Sequence, residues 1–183
     1  MLLCILLLSG CGDSVDSQKK YKVEIDVKDY GVIKAELDAS VAPITVENFI
    51  KLTESGFYEG LTFHRIMKDF MIQGGDPNHD GTGGSEKTIK GEFRNNGVNN
   101  PLSHTRGAIS MARNSYSMDS ASSQFFIVQK DSLYLDGDYA VFGYVTSGMD
   151  IVDKIANDAK PIDDNGTVKY EEQPVITSIK IIE

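Results

Sequence analysis

The sequence predicts a mainly β domain, in which short antiparallel strands form a barrel capped at its ends by two α-helices. Three observations predict it. Tyr21 to Val27 alternates apolar and polar residues with the period of a half-buried strand. Several further short, strand-like apolar runs follow along the chain. Only two segments space their apolar residues as a helix does. Many short strands with two helices fit a small capped barrel.

The elements are expected in this order. Tyr21 to Val27 and Val32 to Leu37 form a hairpin turned at Asp29-Tyr30-Gly31. A helix starts at Ala42-Pro43-Ile44-Thr45, because Pro43 suits a first turn where its missing N–H costs nothing. Val46, Phe49, Ile50 and Leu52 continue it, and Gly56 stops it. Phe49 and Leu52 are expected to plug one end of the sheet. Strands follow around Thr62 to Ile66, Met71 to Gln73, Ala108 to Met111, Phe125 to Val128 and Ala140 to Val145. A second helix covers about Met149 to Asn157, with Ile151, Val152 and Ile155 on one face, and Val175 to Ile182 is the last strand. Gly74 to Gly107 has little periodicity, and loops of that length are usually functional or disordered.

Composition excludes some classes. The 183 residues suffice for one domain and a short leader. A net charge of −9 offers no basic surplus to displace counterions from phosphates, so a nucleic-acid partner is not expected. Both cysteines, Cys4 and Cys11, lie at the extreme N-terminus. The body of the chain therefore has no disulfide, no thiol nucleophile and no cysteine zinc ligand.

Leu2 to Leu8 is too short to span a bilayer, which takes about 20 apolar residues, but has the length of a signal-peptide core. It ends in Leu8-Ser9-Gly10-Cys11, which resembles a bacterial lipobox. That resemblance implies a signal segment over 1–10, a lipidated Cys11 anchoring the chain to a membrane of the bacterial envelope, and a flexible polar tether over 11–20. No Lys or Arg precedes the apolar run, so either the true start lies upstream or the segment is not processed.

Arg65 and Gln73 stand among large apolar residues, in Phe63-His64-Arg65-Ile66 and Phe70-Met71-Ile72-Gln73-Gly74-Gly75. A charged arginine is rarely buried without a partner, so a guanidinium aimed at a ligand carbonyl over an apolar pocket is expected. Ser123-Gln124-Phe125-Phe126-Ile127 adds aromatic surface and another amide. With Thr45-Val46-Glu47-Asn48-Phe49, Ser110-Met111-Ala112, Leu135-Asp136-Gly137 and Val141-Phe142-Gly143, these stretches resemble the cyclophilin family of peptidyl-prolyl cis-trans isomerases over nearly all of 21–183.

The resemblance implies a closed eight-stranded antiparallel β-barrel and catalysis of rotation about Xaa-Pro bonds without any cofactor or metal. Matched position by position, Arg65 is the catalytic arginine and Gln73 the glutamine that holds it. Phe70, Met71, Phe126 and Leu135 receive the proline ring, and Ala112, Arg113 and Gln124 line the groove. The expected partners are proline-containing peptides and unfolded exported proteins, met by a monomer. Three positions depart from the family. Tyr134 stands where the family has the tryptophan that supports cyclosporin binding, so weak cyclosporin binding with retained activity is expected. Tyr139 replaces a pocket histidine, and Arg113 replaces the common asparagine and puts charge at the rim. The segment from Asn114 to Ser122 is slightly longer than usual. The rival reading is a non-catalytic proline-peptide binding module or chaperone on the same fold.

Other signals are set aside. Asp76-Pro77-Asn78-His79-Asp80-Gly81 begins like a calcium loop, but Lys87 stands where a bidentate glutamate is needed. Gly81-Thr82-Gly83-Gly84 lacks a phosphate-loop ending and suits backbone approach to a peptide. His64, His79 and His104 lack ligand spacing, and Ser123 has no evident base.

Overall fold

The computed structural model describes residues 15–182. Cys11, its lipobox and the signal segment over 1–10 lie outside them. Residues 15–20, expected as the end of a flexible tether, lie against the fold. The Asp16 N–H donates to the Tyr21 hydroxyl at 2.7 Å, and Val15 packs on the core.

Eight strands form one antiparallel sheet: β1 (Lys20–Val27), β2 (Gly31–Asp38), β3 (Phe63–Met67), β4 (Met71–Gly74), β5 (Ala108–Met111), β6 (Phe125–Val128), β7 (Val141–Ser147) and β8 (Ile176–Ile181). The helices are α1 (Pro43–Glu54) and α2 (Met149–Asp158). The strand order is β3-β4-β6-β5-β7-β2-β1-β8. The expected hairpin is present, with Ile25 opposite Ile33 and Val27 opposite Gly31.

The sheet is an open half-barrel, and the expected closed barrel is corrected accordingly. Edge strands β3 and β8 meet only near Thr62 and Val175, where the Phe63 N–H donates to the Pro174 carbonyl and the Ile176 N–H to the Leu61 carbonyl. Beyond that point another segment occupies the outer edge of β3. The Ile66 N–H donates to the Gly166 carbonyl at 2.8 Å, the Val168 N–H donates to the His64 carbonyl at 3.0 Å, and Arg65 bridges to Thr167. A covered edge cannot pair with β8, and it is also protected from pairing with another chain.

Alternation sorts the side chains into two layers. Ile66, Ile72, Ile109, Met111, Phe125, Ile127 and Phe142 face the main core with Val23, Ile25, Ile33 and Leu37. Their neighbours Met71, Ala108, Phe126, Val128 and Val141 face the other way and form a second, smaller cluster. Strands β5 and β6 are therefore buried on both faces.

Helix α1 closes one end of the main core. Thr45, Val46, Phe49, Ile50 and Thr53 are its buried residues, so Leu52, expected beside Phe49 in the plug, sits at the shoulder instead. Phe49 packs on Tyr58, Phe125 and Phe142 with ring centroids 5.1–5.5 Å apart. No side chain of α1's own N-terminus caps it. Glu92, almost fully buried, does so from the long loop, accepting from the N–H groups of Ile44 and Thr45 at 3.1 and 2.7 Å and from the Thr45 hydroxyl at 2.7 Å. A carboxylate at a helix N-terminus satisfies orphan donors and complements the helix dipole. The same loop is clasped by buried Asp76, which accepts from the N–H groups of Asn78, Asp80 and Gly81. The stretch without periodicity is thus ordered by polar contacts, which leave no repeat in the sequence.

Candidate active site

The second cluster is the floor of the site, because the strands that turn Ile66, Ile72 and Phe125 inward turn Arg65, Gln73 and Phe126 outward. Arg65 on β3 lies directly opposite Gln73 on β4, and Gln73 lies opposite Phe126 on β6. Gly75, just past β4, has φ +83°, and a Cβ there would stand 2.6 Å from the Ser123 carbonyl oxygen. Only glycine lets this turn press against the segment that carries Gln124.

A directed chain of hydrogen bonds fixes the polar groups. The Arg65 Nε–H donates to the Asn165 carbonyl at 2.7 Å, one Nη to Gln73 Oε1 at 3.1 Å and the other to Met67 Sδ at 3.2 Å. The Gln73 amide then donates to Gln124 Oε1 at 2.9 Å. The Gln124 amide in turn donates to the carbonyls of Gly81 and Gly83 at 3.1 and 2.7 Å. A guanidinium has five N–H donors, so two remain for a ligand. Among the described residues no carboxylate lies within ion-pair distance of Arg65 (the chain's salt bridges are elsewhere). Burial pulls its pKa down, opposed by Tyr139, Tyr134 and Asp163, yet an arginine remains charged at any ordinary pH.

These donors face a cavity of about 290 Å³. Phe70, Met71, Phe126 and Leu135 give it apolar walls, and Ala112, Arg113 and Tyr139 line it too. Gln124 lines an adjoining cavity of about 330 Å³. Tyr134 is 72% exposed and stacks loosely on Phe70 at the rim, with ring centroids 6.0 Å apart. The sequence-expected residues thus converge on one groove, with Tyr134 at its edge.

Other contributors were not singled out by sequence reasoning. Asn165 and Thr167 arrive from a loop about a hundred positions from Arg65, and nothing local announces them. Gly81, which the sequence offers as suited to backbone approach to a peptide, also lines the cavity, as do Asp80 and His64, which sequence reasoning sets aside. His64 is 3% exposed, and neither ring nitrogen has a protein partner among the described residues.

Behind Phe126 lies His104, fully buried and stacked on its ring at 5.9 Å. Its Nδ1 meets Asp136 at 2.7 Å and its Nε2 meets the Ser110 hydroxyl at 3.0 Å. Burial pushes Asp136 up, but bonds from Ser103 and His104 outweigh it and leave the carboxyl below its ordinary value.

Burial also holds His64 and His104 below their ordinary pKa of 6.5. Both rings take up protons more readily in the unfolded chain, so stability rises with pH in this range. Their contribution is complete above pH 6.5 and is lost as pH falls below it. The urea midpoint is therefore expected to drop between about pH 7 and pH 5, before carboxylate protonation begins. A midpoint that stays flat over this interval would count against buried neutral rings.

Similarity to known proteins identifies the family. Residues 22–182 match the family model described as cyclophilin type peptidyl-prolyl cis-trans isomerase/CLD. The chain is 45% identical over 131 residues to peptidyl-prolyl cis-trans isomerase B of Bacillus subtilis, covering 72% of this chain and 87% of that protein. It is 46% identical over 132 residues to a peptidyl-prolyl cis-trans isomerase of Acinetobacter baylyi, covering 69% and 68%. Among solved structures, a Cryptosporidium parvum cyclophilin-type isomerase crystallised in the presence of the dipeptide Ala-Pro superposes with a TM-score of 0.77. It is 32% identical, and the match covers 88% of this chain and 99% of that one.

Proposed function

This chain belongs to the cyclophilin-type peptidyl-prolyl cis-trans isomerases, and from that premise we propose that Arg65 drives the reaction, held by Gln73 beside a cavity for the proline ring. The observation that carries the proposal is a guanidinium with two free N–H groups, no carboxylate partner among the described residues and, in front of it, a cavity partly walled by Phe70, Met71, Phe126 and Leu135.

The reaction breaks no covalent bond. The barrier to peptide rotation is about 18–20 kcal/mol, because the C–N bond is partly double. As the bond twists, the imide nitrogen recovers its lone pair and becomes a better acceptor. A donor placed there stabilises the twisted state more than either planar state, which is the condition for catalysis. Phe70, Met71, Phe126 and Leu135 hold the ring while the preceding carbonyl turns. No nucleophile is needed, and Ser123 spends its hydroxyl on the Gly75 carbonyl at 2.7 Å. The test is acceleration of cis-trans exchange in a short Xaa-Pro peptide. A folded chain that binds the peptide without accelerating exchange would favour a non-catalytic binding module.

Tyr134 bears on inhibition. Its hydroxyl stands at an exposed rim where the family's indole N–H would donate. The chain is expected to bind cyclosporin weakly. Tyr134→Trp should tighten that binding about fivefold, the worth of one net hydrogen bond, with isomerase activity retained. A titration showing equal affinity for both proteins would contradict this.

The envelope role is part of the same reading. A lipid on Cys11 would hold the enzyme where exported chains emerge and present Xaa-Pro bonds. Cys11→Ser should move the protein from the membrane fraction to the soluble one; unchanged fractionation would remove the anchor.

A further inference from the structure

Arg113 is the second cation of the groove, and its role extends the isomerase reading on which it rests. It follows the end of β5 and lines both the proline cavity and the adjoining one. Its guanidinium lies between two aromatic faces, 5.3 Å from the Phe93 centroid and 4.8 Å from the Tyr139 centroid. The Nε–H donates to the Asp138 backbone carbonyl at 2.8 Å, and one Nη donates to the Asn114 carbonyl at 3.0 Å. The Asp138 carboxylate turns instead to the Asn95 amide at 2.8 Å. Three of the five guanidinium donors are left without a protein partner, and no carboxylate among the described residues neutralises the charge.

The adjoining cavity sharpens the point. Its other walls are the glycine backbone of 81–84 and neutral side chains such as Ser85, Asn114, Ser120, Ser122 and Gln124. Arg113 is its sole ionisable residue. The one carboxylate on the neighbouring cavity, Asp80, sits on the Gly81 wall and accepts from the Thr82 N–H and hydroxyl at 2.9 and 2.6 Å. An acidic ligand group is therefore repelled from one wall and attracted to the other. A guanidinium clamped between rings is also preorganised, so little rotamer entropy is lost when it engages a carboxylate. The chain's net charge of −9 offers no long-range attraction to acidic partners, so any such selectivity arises at contact.

We propose that Arg113 makes this enzyme selective for Xaa-Pro segments carrying an aspartate or glutamate within two residues of the proline, the carboxylate seating in the adjoining cavity. The test uses peptide pairs that differ only in Glu against Gln, with the variable residue at each of the two positions on either side of the proline. Both kcat/KM and Kd are measured. At one position the Glu peptide should be favoured about twofold to fivefold, the range for a partly exposed, well-oriented ion pair. That ratio should fall to about one in Arg113→Gln and to an intermediate value in Arg113→Lys, which keeps the charge but loses the planar fork.

Equal values for Glu and Gln at every position in the wild-type chain would overturn the assignment while leaving the isomerase reading intact. A preference that persists unchanged in both variants would overturn it too. Glu-selective binding by a folded chain that catalyses no exchange would remove the isomerase reading and retain the role of Arg113.

Discussion

Replacing Arg65 with alanine lowers kcat/KM for an Xaa-Pro peptide by about 10²–10³-fold, the loss typical when a preorganised donor to a transition state is removed. The magnitude follows from the surroundings. The donor acts at a half-buried site with apolar walls, where a charged hydrogen bond is worth more than in water. Gln73 and the Asn165 carbonyl fix its direction beforehand, at 3.1 and 2.7 Å, so no reorganisation is needed during the twist. The fold should survive, because Arg65 points away from the main core and makes no ion pair that alanine would leave half-buried. Arg65→Lys should recover little, since a compact ammonium lacks the rigid planar fork that aims separate donors at Asn165, Gln73 and the substrate. Near-normal activity in Arg65→Ala, measured on protein with unchanged circular dichroism, would refute the assignment.

Phe49→Ala has the largest expected effect on stability, about 3–5 kcal/mol from lost burial and the cavity left behind. Phe49 is fully buried where α1 meets the sheet and touches Tyr58, Phe125 and Phe142 at once. Phe125 precedes Phe126, which lines the cavity beside Arg65, on the same strand, so the core that Phe49 completes also sets the floor of the site. Urea unfolding would show a lower midpoint with an unchanged slope. A loss below about 1 kcal/mol would mean the cluster can collapse around the vacancy.

How legible the molecule is in its sequence depends on the range of the interaction. Short-range pattern places the hairpin, both helices and most strands within a residue or two, because alternation and helical spacing are local records of burial. Pattern alone does not tell the two faces of β5 and β6 apart, since Ala108 to Met111 and Phe125 to Val128 are buried on both sides. Closure of the barrel was carried by family resemblance and is corrected by a contact far apart in sequence, the 166–168 segment on the edge of β3. Arg65 and Gln73 are legible because a guanidinium and an amide are improbable neighbours of large apolar residues, whereas Phe70, Met71, Phe126 and Leu135 read as ordinary core and are singled out only by the family resemblance. Asn165 and Thr167 are not legible, because a loop carbonyl and a threonine at the cavity leave no trace near Arg65. Leu52, placed in the plug by helical spacing, packs on the core only partly buried, and the buried face runs through Thr53, which apolar pattern does not score.

The decisive question is whether Arg65 acts on the twisted state more than on the bound peptide. Two-dimensional exchange NMR on one Xaa-Pro peptide separates these, giving its Kd and its on-enzyme cis-trans rate for the wild-type chain and for Arg65→Ala. The exchange rate should fall by about 10²-fold or more while Kd rises by less than about tenfold. A weakened Kd with an undiminished exchange rate would contradict this, because Arg65 would then serve binding alone.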